Sequence, residues 1–383
     1  MIRSSKTWQA VALTAVAGLT LAACGTTDTG GEASSDGACE GNIGVMGALS
    51  GANASIVLPS VEGAKLALKQ WSAENEDCDI KIVEFDTEGD PAKATPVATK
   101  MATDDTFLGV IGGAFSGETR ATKAIFGDAG LTMVSQSATA TDLTQTEPSP
   151  VFHRVVGYDD IQGAAIAKYL SDVVGAKKVF VIDNSDAYGE PLAAKVTSEL
   201  GDLVVDSDKT QVAQTDFSPT ISKVEAAKPD AIMYGGYIAE AAPLLKQLRD
   251  AGIETPFIGG DGLYGADFGK AAGSAGEGAI VTCPCVPIED GTFASDFEAE
   301  TGAAPGAYAA EGFDAMNIFL DAFADGARTR EEIEAFVDSY DEEGLTKQLA
   351  FDDNGDVAVE NVVIWAYKVV DGALVPDQEI SLS

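Results

Sequence analysis

From Asn42 to Ile258 short apolar runs alternate with amphipathic stretches of helical length, and no other feature of the sequence restricts the fold as much. Ile43 to Ala48, Ile80 to Asp86, Phe107 to Ile111 and Thr132 to Val134 read as strands. Between them fall helices at about Pro59 to Glu74, from Asp90-Pro91 and from Ser116-Gly117. Asp90 before Pro91 is a helix start, because Pro at the first helical position gives up an N–H that has no partner there. Val151 to Val156, with His153, is a strand leading out of this run. The rhythm then restarts with a helix from Asp160 to Val174. Strands follow at Lys178 to Asp183, Leu203 to Ser207, Ala231 to Tyr234 and Pro256 to Ile258. Helices at Tyr188 to Leu200, from Ser218 and at Ala239 to Ala251 separate them. Such alternation makes βαβ units and parallel sheets. Two runs in 383 residues predict two α/β lobes, since one core seldom covers so long a chain. After Cys285 the pattern changes to three helices, Thr292 to Thr301, Pro305 to Ala324 and Arg330 to Tyr340. Leu349 to Val370 reads as strands around Asp353-Asn354-Gly355-Asp356, with another turn at Asp371-Gly372.

The first residues speak to compartment. Arg3 and Lys6 precede an apolar run, Val11 to Ala22, that is short for a bilayer span and reads as a signal-peptide core. It ends in Leu21-Ala22-Ala23-Cys24-Gly25, which resembles a bacterial lipobox. Residues 1–23 are therefore expected to be removed and Cys24 to carry lipid. Residues 24–39, rich in Gly, Thr, Ser and Asp, form a flexible tether. Export permits disulfides. Cys39, Cys78, Cys283 and Cys285 then allow three connectivities. Cys39 and Cys78 each lie just before strands that are neighbours in a doubly wound sheet, which favours Cys39–Cys78. Cys283-Pro284-Cys285 would form a tight ring if closed.

Charge and residue type exclude several functions. Lys plus Arg is 24 against 61 Asp plus Glu, a net charge of −37. Nucleic acid needs basic side chains on its phosphates and is excluded as a partner. Docking on an anionic membrane through protein charge is disfavoured in the same way. With one His in the chain, His153, a metal site or His-based triad has little to draw on. Gly260 to Gly265 fits G-x-G-x-x-G but lacks the wider dinucleotide unit. Asp352 to Asp356 lacks the terminal Glu of a calcium loop, with Val363 in its place, and reads as a hairpin turn. No metal, cofactor or enzymatic activity is expected.

Ligands of open α/β sheets bind beyond the carboxyl ends of strands. In the first run those loops carry small residues and hydroxyls: Ala48 to Gly51, Gly112 to Thr119 and Ser135 to Thr139. Ser116, Ser137 and Thr139, near helix N-termini, suit an anionic group such as a carboxylate. In the second run Tyr188, Tyr237 and Asp261 fall at strand ends, a set that suits an ammonium group.

Ile43-Gly-Val-Met-Gly-Ala-Leu-Ser-Gly51, Ile111-Gly-Gly113 with Ser116, Ser137-Ala-Thr139, Tyr188-Gly-Glu190, Tyr234-Gly-Gly-Tyr237 and Ala307-Tyr-Ala-Ala-Glu-Gly-Phe-Asp-Ala315 occur in one order over nearly the whole chain after the tether. The sequence in this respect resembles the branched-chain amino acid (Leu/Ile/Val-binding) family of type I periplasmic binding proteins, the substrate-binding proteins of ABC transporters. The resemblance implies two Rossmann-like lobes joined by three crossovers near Gly157, Cys283 and Leu349. Lobe one would hold residues 40–157 and 284–348, and lobe two residues 158–283 and 349–383. It implies an α-carboxylate held by Ser116, Thr139 and backbone N–H groups near Ser137 and Ala138. Tyr188, Tyr237 and Asp261 would face the α-ammonium, and Tyr308 would be an aromatic wall. It further implies a lipid-anchored, monomeric, extracytoplasmic receptor that delivers a small amino acid to ABC permease and ATPase subunits. An amide, a urea-like compound or an aromatic acid, or a sensor role, is the alternative. The family often has Glu where this chain has Asp261, and leucine-type binders carry an aromatic residue near Ile56. Gly89 and Phe115 stand where the family disulfide would be.

Overall fold

The computed structural model describes residues 38–288 and 291–382. The predicted signal segment, Cys24 and most of the tether lie outside the described residues. The first run gives β1 (Glu40–Gly47), α1 (Ala54–Glu74), β2 (Asp79–Asp86), α2 (Pro91–Ala102), β3 (Phe107–Ile111), α3 (Ser116–Asp128), β4 (Met133–Ser135), a short α4 (Asp142–Gln145) and β5 (Phe152–Arg154). Its five strands form a parallel sheet in the order β2-β1-β3-β4-β5. The second run gives α5 (Asp159–Lys168), which widens into a π-helical turn at Tyr169–Val174, then β6 (Val179–Asp183), α6 (Gly189–Leu200), β7 (Val204–Lys209), α7 (Ser218–Ala227), β8 (Ala231–Gly235), α8 (Ile238–Asp250), β9 (Phe257–Gly259), α9 (Asp267–Ala272) and β10 (Ile280–Cys283). Next come α10 (Gly291–Thr301), α11 (Ala309–Ala324) and α12 (Arg330–Asp338), the hairpin β11 (Asp341–Glu343) and β12 (Gln348–Ala350), and finally β13 (Trp365–Val370) and β14 (Ala373–Glu379). The second sheet runs β14-β13-β10-β9-β8-β6-β7, antiparallel only at the β10–β13 and β13–β14 pairs.

The central strands β3, β6 and β8 are buried along their whole length, because helices cover both faces of each sheet. That is why they read as unbroken apolar runs. The Asp90 carboxylate caps α2 by accepting from Ala92 N at 2.8 Å, with Pro91 opening the helix as predicted. α11 returns to the first sheet and lies across α1 at two glycines. A Cβ on Gly63 would sit 1.9 Å from the Ala309 carbonyl oxygen, and one on Gly312 would sit 2.0 Å from that of Ser60. Only bare backbone permits so close a crossing.

Three expectations need correction. α1 starts at Ala54 rather than Pro59 and runs through that proline. Pro59 removes only the bond to the Ser55 carbonyl, and burial of Ile56, Val57, Val61 and Ala64 on one face holds the helix through it. α11 starts at Ala309 rather than Pro305, because Tyr308 has φ 56°, outside any right-handed helix. The chain does not leave the first lobe near Leu349. Arg154 N donates to Gly355 O at 3.0 Å, and the second sheet is entered only at Trp365. The third crossing therefore lies after Asp356, where Val362 packs on Gly157 of the first crossing.

Cys39 and Cys78 are disulfide-bonded with their Cα atoms 4.6 Å apart. Asp79 N donating to Cys39 O at 2.7 Å shows the neighbouring strand starts on which that expectation rested. Cys283 and Cys285 are bonded to each other as well. Among the described residues no helix is long and apolar enough to cross a membrane.

Candidate functional site

The carboxyl ends of the parallel strands of the two sheets face each other, and the loops that leave them enclose a narrow cavity. Ile56, Ala114, Phe115, Ser116, Ser137, Thr139 and Tyr308 line it from the first lobe, and Tyr188, Tyr237, Asp261 and Gly262 from the second. Seven of the eight predicted ligand residues thus meet at one place. The eighth, Ala138, lies behind the wall, its N–H donating to Ser135 Oγ at 2.9 Å. The lobes touch across the cavity. The Phe115 ring meets Tyr237 edge-on at 5.1 Å between centroids, and Tyr237 stacks on Tyr188 at 5.2 Å.

The hydroxyl side is tightly braced. Gly112 has φ 126°, and a Cβ there would lie 2.5 Å from the Met46 carbonyl oxygen, so the β3 loop needs glycine at that point. Glu118 in the first turn of α3 reaches back to accept from Ala114 N at 2.6 Å and Phe115 N at 3.0 Å. Thr87 donates to its other oxygen. Burial pushes the Glu118 carboxyl up despite these donors. Ser137 Oγ donates to Ala114 O at 2.9 Å, and Ser116 Oγ accepts from Ala140 N at 3.2 Å. These two hydroxyls tie the β3 and β4 loops together as well as facing the cavity. Thr139 Oγ1 is buried without a conventional hydrogen bond.

The acidic side centres on Asp261. Tyr188 donates to its Oδ1 at 2.8 Å and Tyr308, from the opposite lobe, to its Oδ2 at 2.6 Å. Gly262 N donates to the Tyr188 hydroxyl at 3.0 Å and fixes that ring. Burial raises the Asp261 carboxyl above its ordinary range, opposed by the Tyr308 and Tyr188 hydroxyls. The sequence reading missed a second acid. Asp159, first residue of α5, is 1% exposed, and its N–H donates to Thr139 O at 2.8 Å. Neither of its carboxylate oxygens makes a conventional hydrogen bond. Burial, then the Asp261 charge beside it, raises its carboxyl well above the usual range, and the Thr139 hydroxyl opposes that rise. The sequence signal was an acid pair at a helix N-terminus, which the helix dipole alone would explain. Two buried acids without a buried cation in contact form a pocket for positive charge, facing hydroxyls that suit a negative one.

His153 lies elsewhere, on β5, where its Nε2 is 3.1 Å from Asp338 Oδ1 and its ring packs on Phe351. With Glu334 it makes one group of possible metal-binding side chains among the described residues, and the Asp338 member is exposed. Asp352 to Asp356 forms the expected turn, with Asp352 Oδ1 accepting from Asn354 N and Asp356 N.

Known proteins match this chain closely. The family model described as "Periplasmic binding protein" matches residues 40–373. The leucine-specific-binding protein of Salmonella typhimurium is 34% identical over 247 residues, 63% of this chain and 66% of that protein. The Leu/Ile/Val-binding protein of Escherichia coli K12 is 32% identical over 63% of this chain and 67% of its own. These alignments span about two thirds of each relative. The branched-chain amino acid transporter substrate-binding protein of Streptococcus pneumoniae, solved in complex with isoleucine, superposes with a TM-score of 0.80 at 26% identity, over 88% of this chain and all of that one.

Proposed function

The chain belongs to the periplasmic binding protein family, and on that premise we propose that it captures a small apolar amino acid between its lobes and delivers it to an ABC permease with its ATPase subunits. The family places it outside the cytoplasm. The observation that carries the ligand class is Asp261, buried, held by a tyrosine from each lobe and flanked by Asp159. An α-ammonium entering there donates to carboxylates that have no cation in contact with them among the described residues. The α-carboxylate is taken by Ser116 and Thr139, and the side chain lies against Ile56, Phe115 and Tyr237. Ile56 is smaller than the aromatic residue expected of leucine-type binders, and Phe115 with Tyr237 supplies the apolar wall.

In this reading the lobes hold residues 40–157 with 284 to about 358, and 158–283 with the rest. Closure by hinge motion at three crossings forms the surface that the permease reads. Residues 1–23 are removed on export and Cys24 carries the lipid, so the mature chain is membrane-anchored, and it acts as a monomer. Mass spectrometry of the mature N-terminus tests the anchor. A peptide that begins at Cys24 with acyl chains is the expected result, and an unmodified Cys24 overturns it.

The ligand test is calorimetric titration with leucine, isoleucine, valine, alanine, phenylalanine, acetamide, urea and benzoate. Asp261→Asn removes the charge the ammonium needs. It should weaken amino-acid binding by about 2–5 kcal/mol while sparing an uncharged ligand. Binding of benzoate or an amide alone, with Asp261→Asn unaffected, overturns the amino-acid reading and keeps the fold.

A further inference from the structure

α11 links the ligand cavity to the crossings between the lobes. Tyr308, which bonds Asp261, is the residue just before its first turn. One turn on, Glu311 Oε1 accepts from Val286 N of the second crossing at 3.2 Å. One turn further, Asp314 accepts from Leu345 N at 2.6 Å and Thr346 N at 2.9 Å. That fixes the β11–β12 turn, whose Lys347 Nζ donates to Val155 O of the first crossing at 2.8 Å. Lys347 and Glu311 are both buried and influence each other electrostatically without direct contact.

Glu311 also lines a second cavity, whose walls come from both lobes. Tyr264, Tyr367, Leu374 and Pro376 close it from the second lobe, against Tyr308 and Glu311 of the first. Separating the lobes parts those walls and exposes Glu311 to water. We propose that Glu311 is a positioning residue for lobe closure, holding the second crossing in the closed form and taking up a proton as the lobes close. The inference rests on the hinge-closure reading above.

The charged groups that act on Glu311 are Lys347 from the β11–β12 turn and Asp314 from its own helix, and Tyr308, Tyr264 and Tyr367 line the same cavity. Burial is the largest influence and raises its carboxyl to about 7, against the opposing pull of Lys347. A hydrated glutamate ionises near its ordinary value of about 4.3. Between these limits the closed form holds a proton that the open form has released. Closure therefore weakens as pH rises through that interval and levels off above it.

The test titrates the full chain in detergent with leucine as probe, from about pH 5 to 8, in buffers of different ionisation enthalpy that count protons. A label pair at the exposed positions Thr95 and Ser222 follows lobe separation without ligand. Wild-type affinity should fall by up to about tenfold per pH unit and level off near neutrality. Glu311→Gln keeps the shape and an acceptor for Val286 N. It should lose up to one proton of uptake and bind more tightly than wild type at pH 8. Lys347→Met removes the facing cation and should move the levelling-off to higher pH. Asp159 and Asp261 titrate in all these proteins, so the difference from Glu311→Gln is the reading. Superimposable wild-type and Glu311→Gln profiles, in affinity and in label distance, overturn the proposal. A label distance that responds to pH only when Glu311 is present upholds the hinge even if leucine does not bind, and in that case the ligand assignment alone fails.

Discussion

Asp159 and Asp261 are two buried acids whose ionisation the fold opposes. Both carboxyls are raised, so the folded chain keeps a proton that the unfolded chain has released. Their stability contribution is full below the ordinary value of 3.8 and is lost as pH rises through the raised values. Asp159→Asn should therefore melt a few degrees higher than wild type at pH 7, with the gap closing as the solution is acidified below about pH 4. The same variant should bind amino acids at least about tenfold more weakly, a trade of function for stability. Calorimetry of both proteins across pH checks this, and a variant that melts lower at neutral pH contradicts it. Tyr308 is the other costly residue. A left-handed backbone at a tyrosine costs about 1–3 kcal/mol, and here it aims the hydroxyl at Asp261. Asp261 was legible because a strand end marks it. Asp159 was not, because an acid in the first turn of a helix already has a local reason to be there.

At the level of elements, Arg154 joins pieces that are far apart in sequence. Its guanidinium donates to Asp356 Oδ1 at 2.5 Å, to the carbonyls of Ala138 at 3.1 Å and Ala140 at 2.9 Å, and to Thr144 Oγ1 at 2.6 Å. It thus holds the Ser137–Thr139 loop, α4 and the Asp352–Asp356 turn at once, with its side chain fully buried. Removing one partner of a buried pair strands the other charge. Arg154→Met should lower unfolding free energy by about 3–5 kcal/mol in a denaturant titration. A change below about 1 kcal/mol would show that Asp356 finds another donor. Gly312→Ala tests the α1–α11 crossing. Backbone cannot yield as a flexible side chain does, so the helices must part, at a cost of about 1–3 kcal/mol or more. The turn at Asp352–Asp356 was legible from its Asp, Asn and Gly. Its docking on Arg154 was not, because nothing local in the sequence pairs residues 202 positions apart.

Across the whole molecule, a net charge of −37 sets self-repulsion against the compact state. Most of the ion pairs are exposed and add little. Raising sodium chloride from about 10 mM to about 0.5 M shortens the screening length several-fold and should raise the melting temperature. A fall with salt would show that the few attractive pairs outweigh the repulsion. The Cys39–Cys78 bridge closes a sequence separation of 39 residues, and by loop entropy its removal in Cys39→Ser/Cys78→Ser should cost about 4 kcal/mol or less. The sequence by itself determined what is local or periodic. The alternation fixed two α/β runs, strand ends marked the loops that carry Ser116, Thr139, Tyr188 and Asp261, and spacing before neighbouring strands pointed to Cys39–Cys78. The tertiary structure alone decided where α1 and α11 begin, where the last crossing lies, that Asp159 stands beside Asp261, and that α11 reaches from Tyr308 to the crossings. The reason is physical: periodicity and turn chemistry act within a few residues, whereas burial, charge pairing and backbone crossings depend on which distant segments the lobes press together.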